Sequence, residues 1–198
     1  MNKYIYSLLI ICLLIFLPMS TIAVSKDIET MIVPKKVREA DFQRQIDEII
    51  DELKKEDMAH AQSVGDHIYT TEVVQVKYKK LEGYAGGQPS TGTRFRYGGG
   101  FFWKDSGGPT VSGQVTFSVP YKLVNVSVTL GTTSDSETQY IVLVPNTYEH
   151  FKLYVEKTME VRQVNVYKQI TPNSPKQLVE IRYPSTLYRL DLYAKAVR

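Results

Sequence analysis

The sequence has 198 residues and a formal net charge of +3 at pH 7, from 24 basic and 21 acidic side chains. That length suffices for one domain with a real hydrophobic core and is short for two. The near balance of charge excludes a strong positive field, so we expect no nucleic-acid partner. The 14 tyrosines favour strand surfaces and hydrated interfaces.

Residues 1–23 predict a secretory signal peptide. Lys3 supplies a positive start, an apolar run follows it, and Thr21 and Ala23 suit a cleavage site after Ala23. Residues 4–24 are just long enough to span a bilayer, so a membrane anchor with an extracytoplasmic domain is the alternative. We therefore expect a secreted protein, with membrane contact only through this segment if it stays uncleaved.

The number and position of the cysteines show whether disulfides could stabilise the domain. Cys12 is the only cysteine, and it lies inside the apolar run. Cleavage after Ala23 would remove Cys12, so the mature protein could form no disulfide. The exported domain must then be stabilised by its core alone. An exported domain of this size without disulfides favours a bacterial source.

The next part of the chain predicts one amphipathic helix. Residues 24–36 form a lead-in segment that is broken by Pro34, and residues 37–65 form the helix region. The apolar stripe of this region recurs at helical spacing in Phe42, Ile46, Ile49, Ile50 and Leu53. We expect the stripe to dock on the rest of the domain; the alternative is a partner helix in an oligomer.

Residues 66–198 predict an antiparallel β-sandwich or open barrel. Apolar and polar residues alternate from Val111 to Val119 and again from Val124 to Leu130, as in strands with one buried face. Several further short strands follow at turn-punctuated intervals. The fold class is therefore mainly β, preceded by one helix.

The later strands carry more specific predictions. Tyr140–Val144 is continuously apolar, which predicts a strand covered on both faces. Phe151–Val155 and Met159–Tyr167 are two strand candidates. Leu178–Tyr183 and Leu187–Ala196 predict a closing hairpin.

The segment from Leu81 to Pro109 is the most unusual part of the sequence. It holds nine of the twelve glycines, interspersed with aromatic residues. Short strands at Thr93–Tyr97 and Phe101–Lys104 would be joined by a turn at Gly98–Gly100. Glycine lets a ligand approach the backbone, and aromatic faces stack on sugar rings or peptides, although both residue types also serve in turns and cores.

This glycine-aromatic segment supplies the candidate binding surface. Arg94 and Arg96, two residues apart on a strand, would point to one face and hold an anionic group. The predicted binding residues are Tyr84, Arg94, Arg96, Tyr97, Phe101, Phe102 and Trp103.

No motif specifies a cofactor or a catalytic group. The glycines do not have the spacing of a dinucleotide-binding turn, and there is no nucleophile elbow or paired-histidine metal motif. Glu56 and His60 are one helical turn apart, but a structural zinc site needs four ligands and no third one is evident. We expect no metal, no cofactor and no enzymatic activity.

The sequence therefore predicts a secreted, non-catalytic binding protein with a glycan or protein partner at the cell envelope. Two alternatives stay open. The alternation of serine and threonine through Ser112–Ser118 is also typical of membrane-inserting hairpins, which would make the protein a pore-forming toxin or an immunity protein that meets one. A secreted hydrolase whose site is assembled from distant residues is the other.

Overall fold

The computed structural model describes residues 28–60, 67–118, 121–134, 140–145 and 147–197. The predicted signal peptide or anchor lies outside these ranges. The described chain forms one helix and eleven strands, in the order β1 (Glu29–Ile32), α1 (Lys35–His60), β2 (Ile68–Tyr84), β3 (Thr93–Arg94), β4 (Gly99–Lys104), β5 (Thr110–Phe117), β6 (Lys122–Thr129), β7 (Thr132–Thr133), β8 (Tyr140–Val144), β9 (His150–Gln169), β10 (Gln177–Arg182) and β11 (Ser185–Ala196).

The main sheet is built around β9, a strand of 20 residues. β2 pairs along one edge of β9, and β11 and β10 pair along the other, all antiparallel. β3 pairs with the first residues of β9, and β1 adds to the free edge of β11. The two strands predicted at Phe151–Val155 and Met159–Tyr167 are thus one continuous strand, and the lead-in segment contributes a strand that the sequence pattern did not reveal.

The predicted closing hairpin is wrong. β10 pairs with Val164–Lys168 of β9 and β11 pairs with Phe151–Val161, so the two strands follow each other along the same edge. The backbone N–H of Arg162 donates to the carbonyl of Pro184 at 3.0 Å, which carries the pairing across the break between them. Pro184 interrupts the strand without reversing it, because proline lacks a donor but tolerates extended backbone.

A second layer covers one face of the main sheet, which we call the inner face. β5 and β6, which match the two strands predicted from alternation, pair with each other, and β4 pairs with β7 and β8. The inward residues of β5 and β6, among them Val115, Phe117, Val126 and Val128, join Leu153, Val155 and Leu192 of the main sheet in one buried cluster. The prediction of a mainly β, antiparallel layered fold preceded by one helix is confirmed.

Two local predictions in this layer are wrong. β8 is covered on one face only, because Ile141 is 46% exposed and Leu143 is 65% exposed. β3 and β4 do not form a hairpin with each other, since β3 pairs with β9 and β4 pairs with β8. A continuous apolar run and a glycine turn are local signals, and pairing with distant strands overrides both.

Helix α1 packs on the opposite face of the main sheet, which we call the outer face. Phe42 and Ile46 are buried against Val164 of β9, and Ile49 and Ile50 pack around them. The predicted apolar stripe therefore docks on the β-domain, as expected. Successive side chains of a strand point to opposite faces, so β9 packs against the second β-layer on one face and against α1 on the other.

A buried ion cluster accompanies this apolar contact. Arg162 of β9 donates two hydrogen bonds to Glu39 of α1, at 2.8 and 2.6 Å, and a third to Glu160 at 2.7 Å. Arg38 of α1 donates to the other oxygen of Glu160 at 3.1 Å. The guanidinium of Arg162 also lies 4.2 Å from the centroid of the Phe42 ring. Helix and sheet are therefore joined by charge-assisted bonds as well as by apolar packing.

Candidate functional site

A cleft of about 310 Å³ lies where the glycine-aromatic segment meets β7. Ligand sites of small molecules commonly start at about this volume. The cleft is lined by Gly87, Gln88, Pro89, Thr93, Phe95, Gly100, Phe101, Phe102, Thr133 and Ser134.

The alternation of β4 determines which aromatic side chains face the cleft. Trp103 and Phe101 point into the core and are 1% and 6% exposed. Phe102 lies between them in sequence, is half-buried, and contributes to the cleft wall. Trp103 cannot stack on a ligand from this position, so its prediction as a binding residue is corrected: it is a core residue. Phe101 is also a core residue, although part of it reaches the cleft.

Gly100 lines the cleft at a close approach of β4 to β8. It pairs with Leu143 of β8, and a Cβ atom placed on it would lie 2.7 Å from the carbonyl oxygen of Val142. Such a distance is shorter than van der Waals contact, so only glycine fits without moving β8. The sequence pattern predicts a turn at this glycine, whereas it lies within β4.

Hydrogen bonds fix the opposite wall of the cleft. The side-chain amide of Gln88 donates to the carbonyls of Ala85 at 2.7 Å and Leu153 at 3.0 Å. The hydroxyl of Thr133 donates to Gly86 at 3.3 Å, and the N–H of Ser134 donates to Phe102 at 2.9 Å. These bonds tie the glycine-rich loop to β9 and β4, so the wall is preorganised.

The remaining predicted residues lie elsewhere. Tyr84 and Arg94 belong to the outer face of the main sheet, where Tyr84 packs edge-on against Tyr154 with ring centroids 5.1 Å apart. Arg96 and Tyr97 follow the end of β3 in an exposed turn, and Tyr97 is 94% exposed. β3 ends at Arg94, so the strand alternation that would place Arg94 and Arg96 on one face is not formed. The predicted set is thus divided among the core, the cleft, a turn and the outer face.

Sequence reasoning missed Gln88, Thr133 and Ser134. Gln88 sits inside the glycine-rich stretch, and the other two belong to a segment that the sequence presents as a polar turn. The pairing of β7 with β4 and the hydrogen bond from Thr133 to Gly86, 47 positions away in the chain, bring them to the cleft. No local pattern carries that information.

A charged group at the end of α1 is centred on Asp57, the residue after Glu56. Asp57 accepts hydrogen bonds from Lys168 at 2.7 Å and from the hydroxyl of Tyr69, and pairs with His67 at 2.7 Å. The side chain of His60 lies outside the described part of the protein. Within the described residues, no three histidine, cysteine, aspartate or glutamate side chains are grouped so that they could hold a metal.

Asp57→Asn should reduce the dependence of stability on acid pH. The hydrogen bond from Lys168, followed by that from Tyr69, lowers the pKa of Asp57 from 3.8 to about 2. A depressed folded-state pKa contributes stability that is present above the unfolded value, near pH 4, and lost as pH falls towards 2. Because the carboxylate is partly exposed, we expect a contribution of about 1–2 kcal/mol rather than the full value of the shift.

The measurement is equilibrium urea unfolding of both proteins between pH 5 and pH 2. The unfolding free energies of wild type and Asp57→Asn should converge as pH falls. Asp51→Asn, at an exposed position of the same helix, serves as control and should stay parallel to the wild type. Parallel curves for Asp57→Asn as well would show that the cluster contributes no stability.

Comparison of the chain with protein-family models, with curated proteins and with solved structures found no match. Among the described residues, α1 is the one helix, and it lacks the long apolar stretch that crossing a membrane would require.

Proposed function

We propose that the protein is a secreted, non-catalytic binding protein of the cell envelope, and that the cleft beside β4 holds a neutral polar ligand such as a sugar unit of a glycan. The export part of this proposal rests on the pattern of residues 1–23. The binding part rests on one observation, the chemistry of the cleft wall.

That wall combines the three kinds of group that a sugar uses. Gly87 and Gly100 line it with backbone, the Thr133 hydroxyl donates its proton to Gly86 but can still accept a hydrogen bond, and Phe102 supplies an apolar ring. Sugars present hydroxyl groups at their edges and C–H groups on their faces, so polar and aromatic contacts are needed together. The lining residues carry no formal charge, which favours a neutral ligand over an ionic one.

Phe102→Ala should weaken binding about tenfold or more, because it removes a half-buried aromatic ring from the cleft wall. The experiment screens the purified full chain on an array of neutral oligosaccharides and measures the tightest hit by titration calorimetry. Tyr97→Ala is the matched control, since Tyr97 is an exposed aromatic residue of the same segment outside the cleft lining. Circular dichroism of each variant verifies that it is folded.

The proposal fails if the wild type binds none of the oligosaccharides. It also fails if Phe102→Ala binds as tightly as the wild type, because the ligand would then lie elsewhere. Equal losses in Phe102→Ala and Tyr97→Ala would move the site from the cleft to the exposed turn.

A further inference from the structure

The outer face of the main sheet carries a row of tyrosines beyond the start of α1. Tyr84 of β2 and Tyr193 of β11 pair with Tyr154 of β9 from its two sides. The ring centroids of Tyr84 and Tyr154 are 5.1 Å apart, and those of Tyr154 and Tyr193 are 5.3 Å apart. Directly opposite residues of an antiparallel pair point to the same face, so the three rings form one cross-strand row.

The next row of this face places two lysines opposite each other. Lys195 of β11 pairs with Lys152 of β9. Their ammonium groups lie 5.9 and 5.3 Å from the centroid of the Tyr84 ring, and that of Lys195 lies 4.1 Å from the centroid of Tyr154. The ring faces attract both cations, but like charges directly opposite in a sheet repel and lower stability.

A third basic group continues the surface. Arg94 pairs with His150, one row beyond the lysines, and its guanidinium lies 5.0 Å from the centroid of the Tyr148 ring. The Nε atom of Arg94 is shielded from solvent and has no hydrogen-bond partner. The side chain of Tyr148 is 83% exposed, so its ring offers a free flat face.

Acidic residues on the other side of the tyrosine row already have their own partners. Lys80 bridges Glu156 at 2.6 Å and Glu82 at 3.1 Å, and Arg189 bridges Asp191 at 2.8 Å. This acidic row is four residues from the lysine row along each strand, with the tyrosine row between them, and Glu156 also accepts a hydrogen bond from the Tyr193 hydroxyl.

The basic groups are therefore left without neutralising carboxylates. Within the described ranges, no ion pair joins Lys152, Lys195 or Arg94 to an acidic side chain. We call this surface the basic-aromatic patch. It consists of Arg94, Lys152, Lys195, Tyr84, Tyr148 and Tyr154.

We propose that the basic-aromatic patch binds an acidic polysaccharide, one whose sugar units carry carboxylate groups. The carboxylates relieve the repulsion between Lys152 and Lys195, and the C–H faces of the sugar rings contact the exposed rings of Tyr84 and Tyr148. This surface is separate from the cleft beside β4, because Arg94 faces the outer side of the sheet while its neighbour Thr93 lines the cleft.

The arrangement favours a polysaccharide over a nucleic acid. A nucleic-acid strand carries one charge for about every 3.4 Å of its length, and neighbouring phosphates would extend over the acidic row. A polyuronate carries its charges further apart and offers apolar ring faces between them.

The test measures binding of the full chain to oligomers of polygalacturonate by biolayer interferometry at about 0.15 M salt, with uncharged dextran as the reference polymer. The double variant Lys152→Gln/Lys195→Gln should bind at least about tenfold more weakly than the wild type. Lys54→Gln/Lys55→Gln removes the same charge from an exposed part of α1 and should change the affinity less than about twofold.

A second measurement keeps folding and binding apart. Lys152→Gln/Lys195→Gln removes both the repulsion between the lysines and their contacts with the tyrosine rings, and these effects oppose each other. The Tm of this variant should therefore stay close to that of the wild type, so that a loss of binding is not a loss of folding. The proposal is overturned if polygalacturonate does not bind, if dextran binds equally, or if both double variants weaken binding to the same degree. Tighter binding of single-stranded oligothymidylate than of polygalacturonate would assign the patch to nucleic acid instead.

Discussion

Replacing Trp103 with alanine should lower the free energy of unfolding by about 3–5 kcal/mol, as expected for a large aromatic residue removed from a core. Trp103 is almost fully buried between the layers, 5.8 Å from the Tyr140 ring by centroids. Its indole N–H donates to the carbonyl of Leu130 at 2.9 Å. The variant leaves both a cavity and an unpaired buried carbonyl, and the two costs add.

The neighbourhood of Trp103 gives no room for relaxation. Gly131 has φ of +78°, and a Cβ atom on it would lie 2.5 Å from the indole nitrogen. The backbone therefore turns back directly against the indole ring, and the ammonium group of Lys157 lies 5.3 Å from the ring centroid. A cavity that its surroundings cannot fill has the highest cost.

Equilibrium urea unfolding followed by circular dichroism measures this effect, because Trp103 is the only tryptophan and its fluorescence disappears with it. Trp103→Phe should cost less, about 1–3 kcal/mol, since it keeps much of the ring and loses the hydrogen bond. Tyr97→Ala, at an exposed aromatic residue, should change stability by less than about 0.5 kcal/mol. A cost below about 1 kcal/mol for Trp103→Ala would contradict a packed interior at this position.

Replacing Arg162 with methionine should destabilise the protein by about 3 kcal/mol and release α1 from the sheet. Glu160 is 3% exposed, and Arg162 is one of its two cationic partners. The variant leaves the carboxylate buried with reduced compensation and also removes the two bonds to Glu39. Removing one member of a buried ion cluster costs far more than removing an exposed pair.

Hydrogen exchange separates helix release from a general loss of stability. The amides of α1 should exchange faster in Arg162→Met, whereas those of β5 and β6 should be protected to nearly the global stability of the variant. Arg44→Met is the control, because Arg44 pairs with Asp41 and Glu48 on the exposed side of the same helix. It should cost less than about 0.5 kcal/mol. Equal effects of the two variants would show that the buried cluster does not hold the helix.

The elements that the sequence predicts well are those whose information is local. The apolar stripe of α1 lies within one helix, so Phe42 and Ile46 mark the docking face without knowledge of the sheet. β5 and β6 are neighbours in the chain and pair with each other, so alternation alone predicts both strands and their buried sides. In each case the pattern that predicts the element lies within neighbouring residues.

The predictions that failed depend on which strand pairs with which. β10 and β11 resemble a hairpin in sequence because each is a strand and Pro184 separates them, yet both pair with β9. Phe101, Phe102 and Trp103 are equally aromatic, and only the packing of β4 on the core places Trp103 inside and Phe102 at the cleft. Composition states that a segment contains aromatic rings but not which side of a layer they occupy.

By itself, the sequence determined a mainly β domain with one amphipathic helix, because side-chain periodicity is a property of each element alone. The tertiary structure decided which residues share a surface. Tyr84, Tyr154 and Tyr193 meet only because β9 pairs with β2 on one edge and β11 on the other. Register between distant strands is fixed by the sum of many buried contacts, so no stretch of the chain encodes it separately.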